Sequence, residues 1–74
     1  MVNHVESLIY TFESIYNQTL GSHNDGKGFV DIEVTLNLVR DNGLKKFMEY
    51  CDEHSINYSI EYIGDNGANL RVIR

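Results

Sequence analysis

Apolar and polar residues alternate most regularly between residues 28 and 40. The apolar positions are Val30, Ile32, Val34, Leu36 and Leu38. The positions between them are polar, and two of these, Asp31 and Glu33, are acidic. A period of two residues is typical of a strand with one buried face and one solvated face. We therefore predict one long strand here, with a mildly acidic outer face.

Two other stretches have the spacing of an amphipathic helix. In residues 3–18 the apolar stripe consists of Val5, Leu8, Ile9, Phe12, Ile15 and Tyr16. Asn3 and Glu6 are spaced to cap the first turn of this helix. In residues 44–54 the stripe consists of Leu44, Phe47, Met48 and Cys51. Each helix is therefore expected to bury one face.

The remaining stretches predict two more strands and a connector. Alternation returns in residues 56–63 and 68–73, separated by a turn at Asp65-Asn66-Gly67. Matching the apolar faces of these strands favours a three-residue turn, which sets Glu61 opposite Arg71. The sequence GSHNDGKG of residues 21–28 is rich in turn-forming residues, so we expect a flexible connector there.

The order of elements predicts an α+β fold. Two helices with one apolar stripe each must cover the apolar face of one sheet, giving a two-layer sandwich of order α-β-α-β-β with a three-stranded, mainly antiparallel sheet. The first strand could lie parallel beside the second or antiparallel beside the third. Its polar face favours the antiparallel arrangement. The length of 74 residues indicates a single domain, 1–74.

Composition narrows the class of partner. Eleven acids against six bases give a net charge of −5, which suits a basic protein partner and disfavours direct binding of nucleic acid. One cysteine indicates a cytoplasmic, reducing location. We expect no secretion signal and no membrane span, since no long apolar run occurs. The absence of proline and the abundance of asparagine are compatible with an AT-rich viral or mobile genome.

Candidate chemistry is sparse. Cys51 and His54 have a C-x-x-H spacing, but structural zinc needs more ligands, and Cys51 falls on the apolar stripe. Asp31 and Glu33 lie on an open face without a cleft, where nothing tunes a carboxylate for acid–base catalysis. We therefore expect no catalytic residues, no metal and no cofactor, although a small enzyme or metal-dependent regulator using Cys51 and His54 is an alternative.

These observations lead to a binding hypothesis. We expect a small, acidic, non-enzymatic protein-binding module, such as a phage-type inhibitor or regulator that binds a host protein. Two surfaces are candidates. One is the exposed side of the first helix, with Glu6, Tyr10 and Glu13, called the α1 stripe below. The other is the outer face of the sheet, with Asp31, Glu33 and Glu61.

Two alternatives remain open for the binding mode. A strand over residues 28–40 at a sheet edge could pair with a second copy, giving a homodimeric structural subunit. Phe29 and Val39, apolar residues on its polar side, could then be covered by a partner. The other alternative is an inhibitor that imitates DNA by spacing carboxylates like phosphates. An RNA-binding sheet is disfavoured because the predicted outer row has three acids and one base.

Overall fold

The computed structural model describes residues 4–74, which form two helices and a four-stranded sheet. The elements are helix α1 (His4–Tyr16), strands β1 (Gly21–Gly26) and β2 (Phe29–Thr35), a 3-10 turn (Leu36–Leu38), helix α2 (Gly43–Glu53), and strands β3 (Tyr58–Ile63) and β4 (Gly67–Ile73). The α+β class is therefore confirmed. The predicted cap at Asn3 lies outside the described residues.

The sheet order is β1-β2-β4-β3, and every neighbouring pair is antiparallel. The predicted placement of the first long strand beside the last is confirmed, because β2 pairs with β4 and not with β3. One core joins the sheet to both helices. Its buried side chains include Ile9, Phe12, Leu44, Phe47, Cys51, Val30, Ile32, Val34, Ala68, Leu70 and Val72. Ile15 is exposed, although it is predicted to belong to the apolar face of the helix over residues 3–18.

The prediction of three strands is wrong, because residues 21–26 form the edge strand β1 instead of a flexible connector. The strand has no apolar side chains to reveal it. Its hairpin with β2 turns at Lys27-Gly28, where Gly28 has a φ of +85° that glycine adopts without strain. Gly21 lies so close to β2 that a Cβ there would overlap the carbonyl oxygen of Glu33.

The long strand is also shorter than predicted, since β2 ends at Thr35. The turn between β3 and β4 draws the chain away from the sheet. Asn66 accepts the N–H of Leu36 on its backbone oxygen at 2.8 Å and the N–H of Asn37 on its side-chain oxygen at 2.9 Å. The chain then continues as a 3-10 turn, and Leu38 is 69 % exposed.

Because β2 lies inside the sheet, the hypothesis that residues 28–40 offer a free edge is wrong. Both sides of β2 are paired within the chain, with β1 on one side and β4 on the other. Among the described residues, the edges of this sheet without a paired neighbour are β1 and β3. Any pairing with a second copy must therefore use one of those two strands.

The register of β3 and β4 differs from the prediction by two residues. Ile60 lies opposite Leu70 and Glu61 opposite Asn69, so the turn consists of residues 64–66. Gly64 has a φ of +65° in this turn. A shift of two residues keeps every side chain on its predicted face, which is why the hydrophobic pattern could not distinguish the registers. The predicted pair of Glu61 and Arg71 is replaced by Ser59 and Arg71.

Candidate functional site

The outer face of the sheet has no covering layer within residues 4–74, because both helices pack on the opposite face. The register arranges its side chains in rows across the strands. One row contains Ser22, Glu33, Asn69 and Glu61, and the next contains Asn24, Asp31, Arg71 and Ser59. A third contains Gly26, Phe29 and Ile73. The three predicted acids Asp31, Glu33 and Glu61 therefore lie on one surface, called the outer face below.

Asp31 is not free on this face. Arg71 donates from Nε to Asp31 Oδ1 at 2.8 Å and from Nη2 to Oδ2 at 3.1 Å. The same guanidinium lies 3.9 Å from the centroid of the Phe29 ring. Hydrogen bonds from Arg71 hold the pKa of Asp31 below its usual range. Asp31, Arg71 and Phe29 therefore form one internally satisfied cluster.

Glu33 and Glu61 are different, since neither forms a salt bridge with another described residue, and both are exposed. Both lie directly opposite Asn69, one on each side of β4. Their backbones are therefore about 10 Å apart, twice the spacing of neighbouring strands. A shallow cavity of about 350 Å³ adjoins them. It is lined by Glu33, Val34, Thr35, Glu61, Ile63, Gly67, Ala68 and Asn69.

The α1 stripe has a different arrangement, because the fold uses both of its carboxylates. Glu13 is 8 % exposed, and its Oε2 accepts the N–H of Leu20 at 2.8 Å and lies 3.1 Å from His23 Nε2. Glu6 pairs with Arg74. Only Tyr10, 61 % exposed, is left in this stripe as an exposed anchor for a partner. The structure thus places Glu6 and Glu13 in bonds between elements.

A groove of about 600 Å³ runs between α1 and β1 beside this carboxylate. Its lining is Tyr10, Glu13, Ser14, Asn17, Gln18, Thr19, Gly21 and His23. His23 lies with its ring centroid 5.5 Å from that of Tyr10. The sequence did not indicate His23 as a partner of Glu13, because residues 21–28 are predicted as a connector and His23 is considered there only as a possible further zinc ligand beside Cys51 and His54. Residues 21–28 contain no apolar side chain, so no alternation of apolar and polar residues indicates a strand there.

The spacing of Cys51 and His54 does not produce a reactive pair. Cys51 is fully buried in the core, and burial, followed by the charge of Asp52, raises the pKa of its thiol to about 12. A protonated thiol is a poor metal ligand and a poor nucleophile. His54 is exposed, with its ring 4.3 Å from that of Tyr50. Within residues 4–74, no three His, Cys, Asp or Glu side chains are grouped to hold a metal ion.

In the part of the chain that the structure describes, neither helix is long and apolar enough to cross a membrane. The chain matches no known protein-family model, no curated protein and no solved structure in these comparisons. A function must therefore be inferred from the chain's own side chains, and the outer face offers two exposed carboxylates, Glu33 and Glu61, that form no salt bridge with another described residue.

Proposed function

We propose that this chain is a small, non-enzymatic protein-binding module, and that the outer face binds a basic surface of a partner protein. The observation that carries the proposal is the row of Glu33, Asn69 and Glu61 on a bare sheet face. A partner's lysine or arginine above Asn69 would have a carboxylate on each side. The amide of Asn69 would supply a further hydrogen bond to it.

Electrostatics supports a basic partner. The outer face holds three acids and one base. Arg71 pairs directly with Asp31 and interacts with Glu61 only through the charge, without a salt bridge, so the described residues of this face keep a net negative charge. The chain as a whole has a net charge of −5. Complementary potentials accelerate encounter with a basic partner and repel acidic ones, so the charge acts before contact as well as after it.

Apolar side chains on both ends of this face support docking of a protein surface over binding of an isolated cation. Ile63, 58 % exposed, lies beyond the carboxylate row at one end. Phe29 and Ile73 lie at the other end, and Arg71 covers the Phe29 ring. Protein interfaces combine apolar contact area with a few charged anchors, and arginine and aromatic residues are enriched in them.

In this proposal the protein acts in the cytoplasm as an inhibitor or regulator, because occupying a basic surface blocks whatever else that surface binds. A small phage protein directed at a host protein fits this role and the composition. The DNA-mimic version needs a ladder of free carboxylates. The outer face supplies two, so we favour recognition of a protein by local charge and shape.

The experiment compares two matched pairs of neutralised carboxylates. Glu33→Gln with Glu61→Gln removes the charges of the row, and Glu49→Gln with Glu53→Gln removes two exposed charges from α2. Proteins retained by the immobilised wild-type chain are identified, and the affinity of each is measured for both variants. We expect the first variant to bind at least about tenfold more weakly and the control to be unchanged.

Salt provides the second arm of the test. Binding through the outer face should weaken as ionic strength rises to about 0.5 M, where screening shortens the range of the charges. A partner that binds both variants equally well, and whose affinity is independent of salt, would show that the outer face is not the docking surface.

A further inference from the structure

The free edge of β3 is a second surface, separate from the outer face. Ile73 donates its N–H to the carbonyl oxygen of Asn57 at 2.9 Å, so these two residues form a hydrogen-bonded pair of the β3–β4 ladder. In an antiparallel ladder such pairs recur at every second residue. Ser59 and Glu61 therefore bond to β4. The N–H and C=O groups of Tyr58, Ile60 and Tyr62 point away from the sheet.

The sequence of β3 protects this edge only weakly, through the single charged residue Glu61. The strand, YSIEYI, contains no proline, glycine or lysine, the residues that usually prevent edge strands from pairing. Tyr62 is 62 % exposed on the helix side. The opposite edge, β1, has the sequence GSHNDG and offers no exposed apolar side chain. The two edges of the sheet thus differ in the chemistry that a neighbouring strand would meet.

Helix α2 adds a charged flank beside this edge. Lys45, Met48 and Asp52 occupy positions i, i+3 and i+7, which lie on one side of a helix. Lys45 and Met48 line a largely apolar groove of about 300 Å³ together with Tyr62. At the other end, partial burial and then the Asp52 charge raise the pKa of Tyr58, so Asp52 lies near that residue. The flank is therefore positive beside Tyr62 and negative beside Tyr58.

We propose that this edge pairs with the β3 strand of a second copy of the chain, antiparallel about a two-fold axis at Ile60. In this register Ile60 lies opposite its own copy, and Tyr58 lies opposite Tyr62 of the second copy. All three outward-pointing residues are paired on each side, which gives about six inter-chain hydrogen bonds. An interface that meets itself in this way is isologous and closes as a dimer.

Charge selects this partner and this register. The two-fold axis reverses α2, so Lys45 of one copy lies on the same end as Asp52 of the other, and Met48 lies near the axis. On the outer face Glu61 lies opposite Ser59 of the second copy. Slipping one strand by two residues in one direction would oppose Glu61 to its own copy, and like charges directly opposite destabilise a pair of strands. Slipping it in the other direction would set Tyr62 opposite Ile56, which lies outside β3, so inter-chain hydrogen bonds would be lost.

The first test traps the register with cysteines on the outer face. Chains with Ser59→Cys are mixed with chains carrying Glu61→Cys under mild oxidation. The Cα atoms of opposed residues at a non-hydrogen-bonded position lie about 4.5 Å apart, within the range that a disulfide can bridge. The native Cys51 does not interfere, because it is buried. The control mixes Ser22→Cys with Asn24→Cys, which have the same spacing and face on the edge strand β1.

We expect the covalent dimer to form at least about tenfold faster in the first mixture than in the control mixture or in either variant alone. Equal rates in both mixtures would overturn the proposed register. Sedimentation of the wild-type chain should show an increase with concentration toward twice its mass of 8.5 kDa. A mass that stays at one chain at every concentration overturns the proposal and leaves the edge for a strand of another protein.

A charge exchange provides the third arm without altering the strand. Lys45→Asp sets two acids against each other across the axis, so we expect the dissociation constant of the dimer to rise at least tenfold. Adding Asp52→Lys to the same chain restores opposite charges and should restore dimerisation. If the double variant dimerises no better than Lys45→Asp alone, the two flanks do not face each other and the geometry is wrong.

Discussion

The α1 stripe and the outer face are both acidic in the sequence, but the fold treats their carboxylates differently. In the α1 stripe Glu6 is bound by Arg74, and Glu13 is bound by the N–H of Leu20 and by His23. On the outer face one acid, Asp31, is bound by Arg71, while Glu33 and Glu61 are exposed. The number of acids on a surface therefore does not give the charge that is available to a partner.

The difference arises from where the cations and the unpaired backbone donors lie. The chain between α1 and β1 needs an acceptor for the N–H of Leu20, a residue that is itself buried. Glu13 supplies it from the neighbouring helix at 2.8 Å. The outer face has no such demand in its carboxylate row, because the strand backbones satisfy one another. Among the described residues of that face, the one carboxylate held in a salt bridge is Asp31, which pairs with Arg71.

The largest effect that distinguishes the two surfaces is on stability. Glu13→Ala leaves the Leu20 N–H buried without an acceptor, so we expect a loss of about 1–3 kcal/mol in the free energy of unfolding. For a domain of this size, each kcal/mol lowers the midpoint of thermal unfolding by about 4–8 °C. Glu13→Gln retains an acceptor and should lose less. Glu33→Ala is the matched control, expected to change stability by less than about 0.5 kcal/mol.

Both variants are measured by denaturant and thermal unfolding followed by circular dichroism. If Glu13→Ala and Glu33→Ala are equally stable, the two surfaces do not differ in the way the structure indicates.

An intermediate effect concerns acid stability. The pKa of Asp31 is depressed in the folded chain by hydrogen bonds from Arg71. The associated stability is therefore fully present above the unfolded carboxyl pKa of about 4, and it is lost as the pH falls through the lower folded value. Asp31→Asn removes this contribution. We expect the variant to lose less stability than the wild type as the pH falls below 4, measured as unfolding free energy against pH.

The same pH series on Glu33→Gln provides a comparison for Asp31→Asn, since Glu33 has no salt-bridge partner among the described residues. Identical acid slopes for wild type and Asp31→Asn would mean that the ion pair with Arg71 has no effect on folding.

The smallest effect concerns Tyr10, the exposed member of the α1 stripe. Because its side chain is 61 % exposed, Tyr10→Ala should change the unfolding free energy by less than about 0.5 kcal/mol. If partners bind the outer face, their affinity should also be unchanged, as measured by titration calorimetry. A tenfold loss of affinity in Tyr10→Ala would instead move the docking surface to α1.

Much of the fold was accessible from the sequence because periodicity reports burial. Both helices and strands β2, β3 and β4 were predicted from their apolar spacing. Strand β1 could not be predicted, because none of its helix-facing residues, Gly21, His23 and Asp25, has an apolar side chain. Charged groups of other elements pair with the two polar side chains. His23 meets Glu13, and Asp25 meets Arg74. That pairing is tertiary information which a local hydrophobic pattern does not contain.

The end of β2 and the ion pairs illustrate the same limit. Leu36 and Leu38 continue the alternation, but Asn66, thirty residues away in the sequence, ends the strand by bonding to Leu36. Parity placed Asp31, Glu33 and Glu61 on one face. It could not tell which of them Arg71 would neutralise, since registers two residues apart leave the faces unchanged. The sequence therefore predicts a charge free to meet a partner at Asp31 as well as at Glu33 and Glu61, whereas Arg71 pairs with Asp31 in the structure.

The strand order β1-β2-β4-β3 also has a consequence for how the chain folds. Each outer pair of strands is a local hairpin, closed by two residues in one case and three in the other. The central pair is remote, since Asp31 and Arg71 are 40 residues apart. Closing that long loop carries the largest entropic cost, and contacts between distant residues slow folding. We expect the two hairpins to form early and the joining of β2 to β4 to set the folding rate.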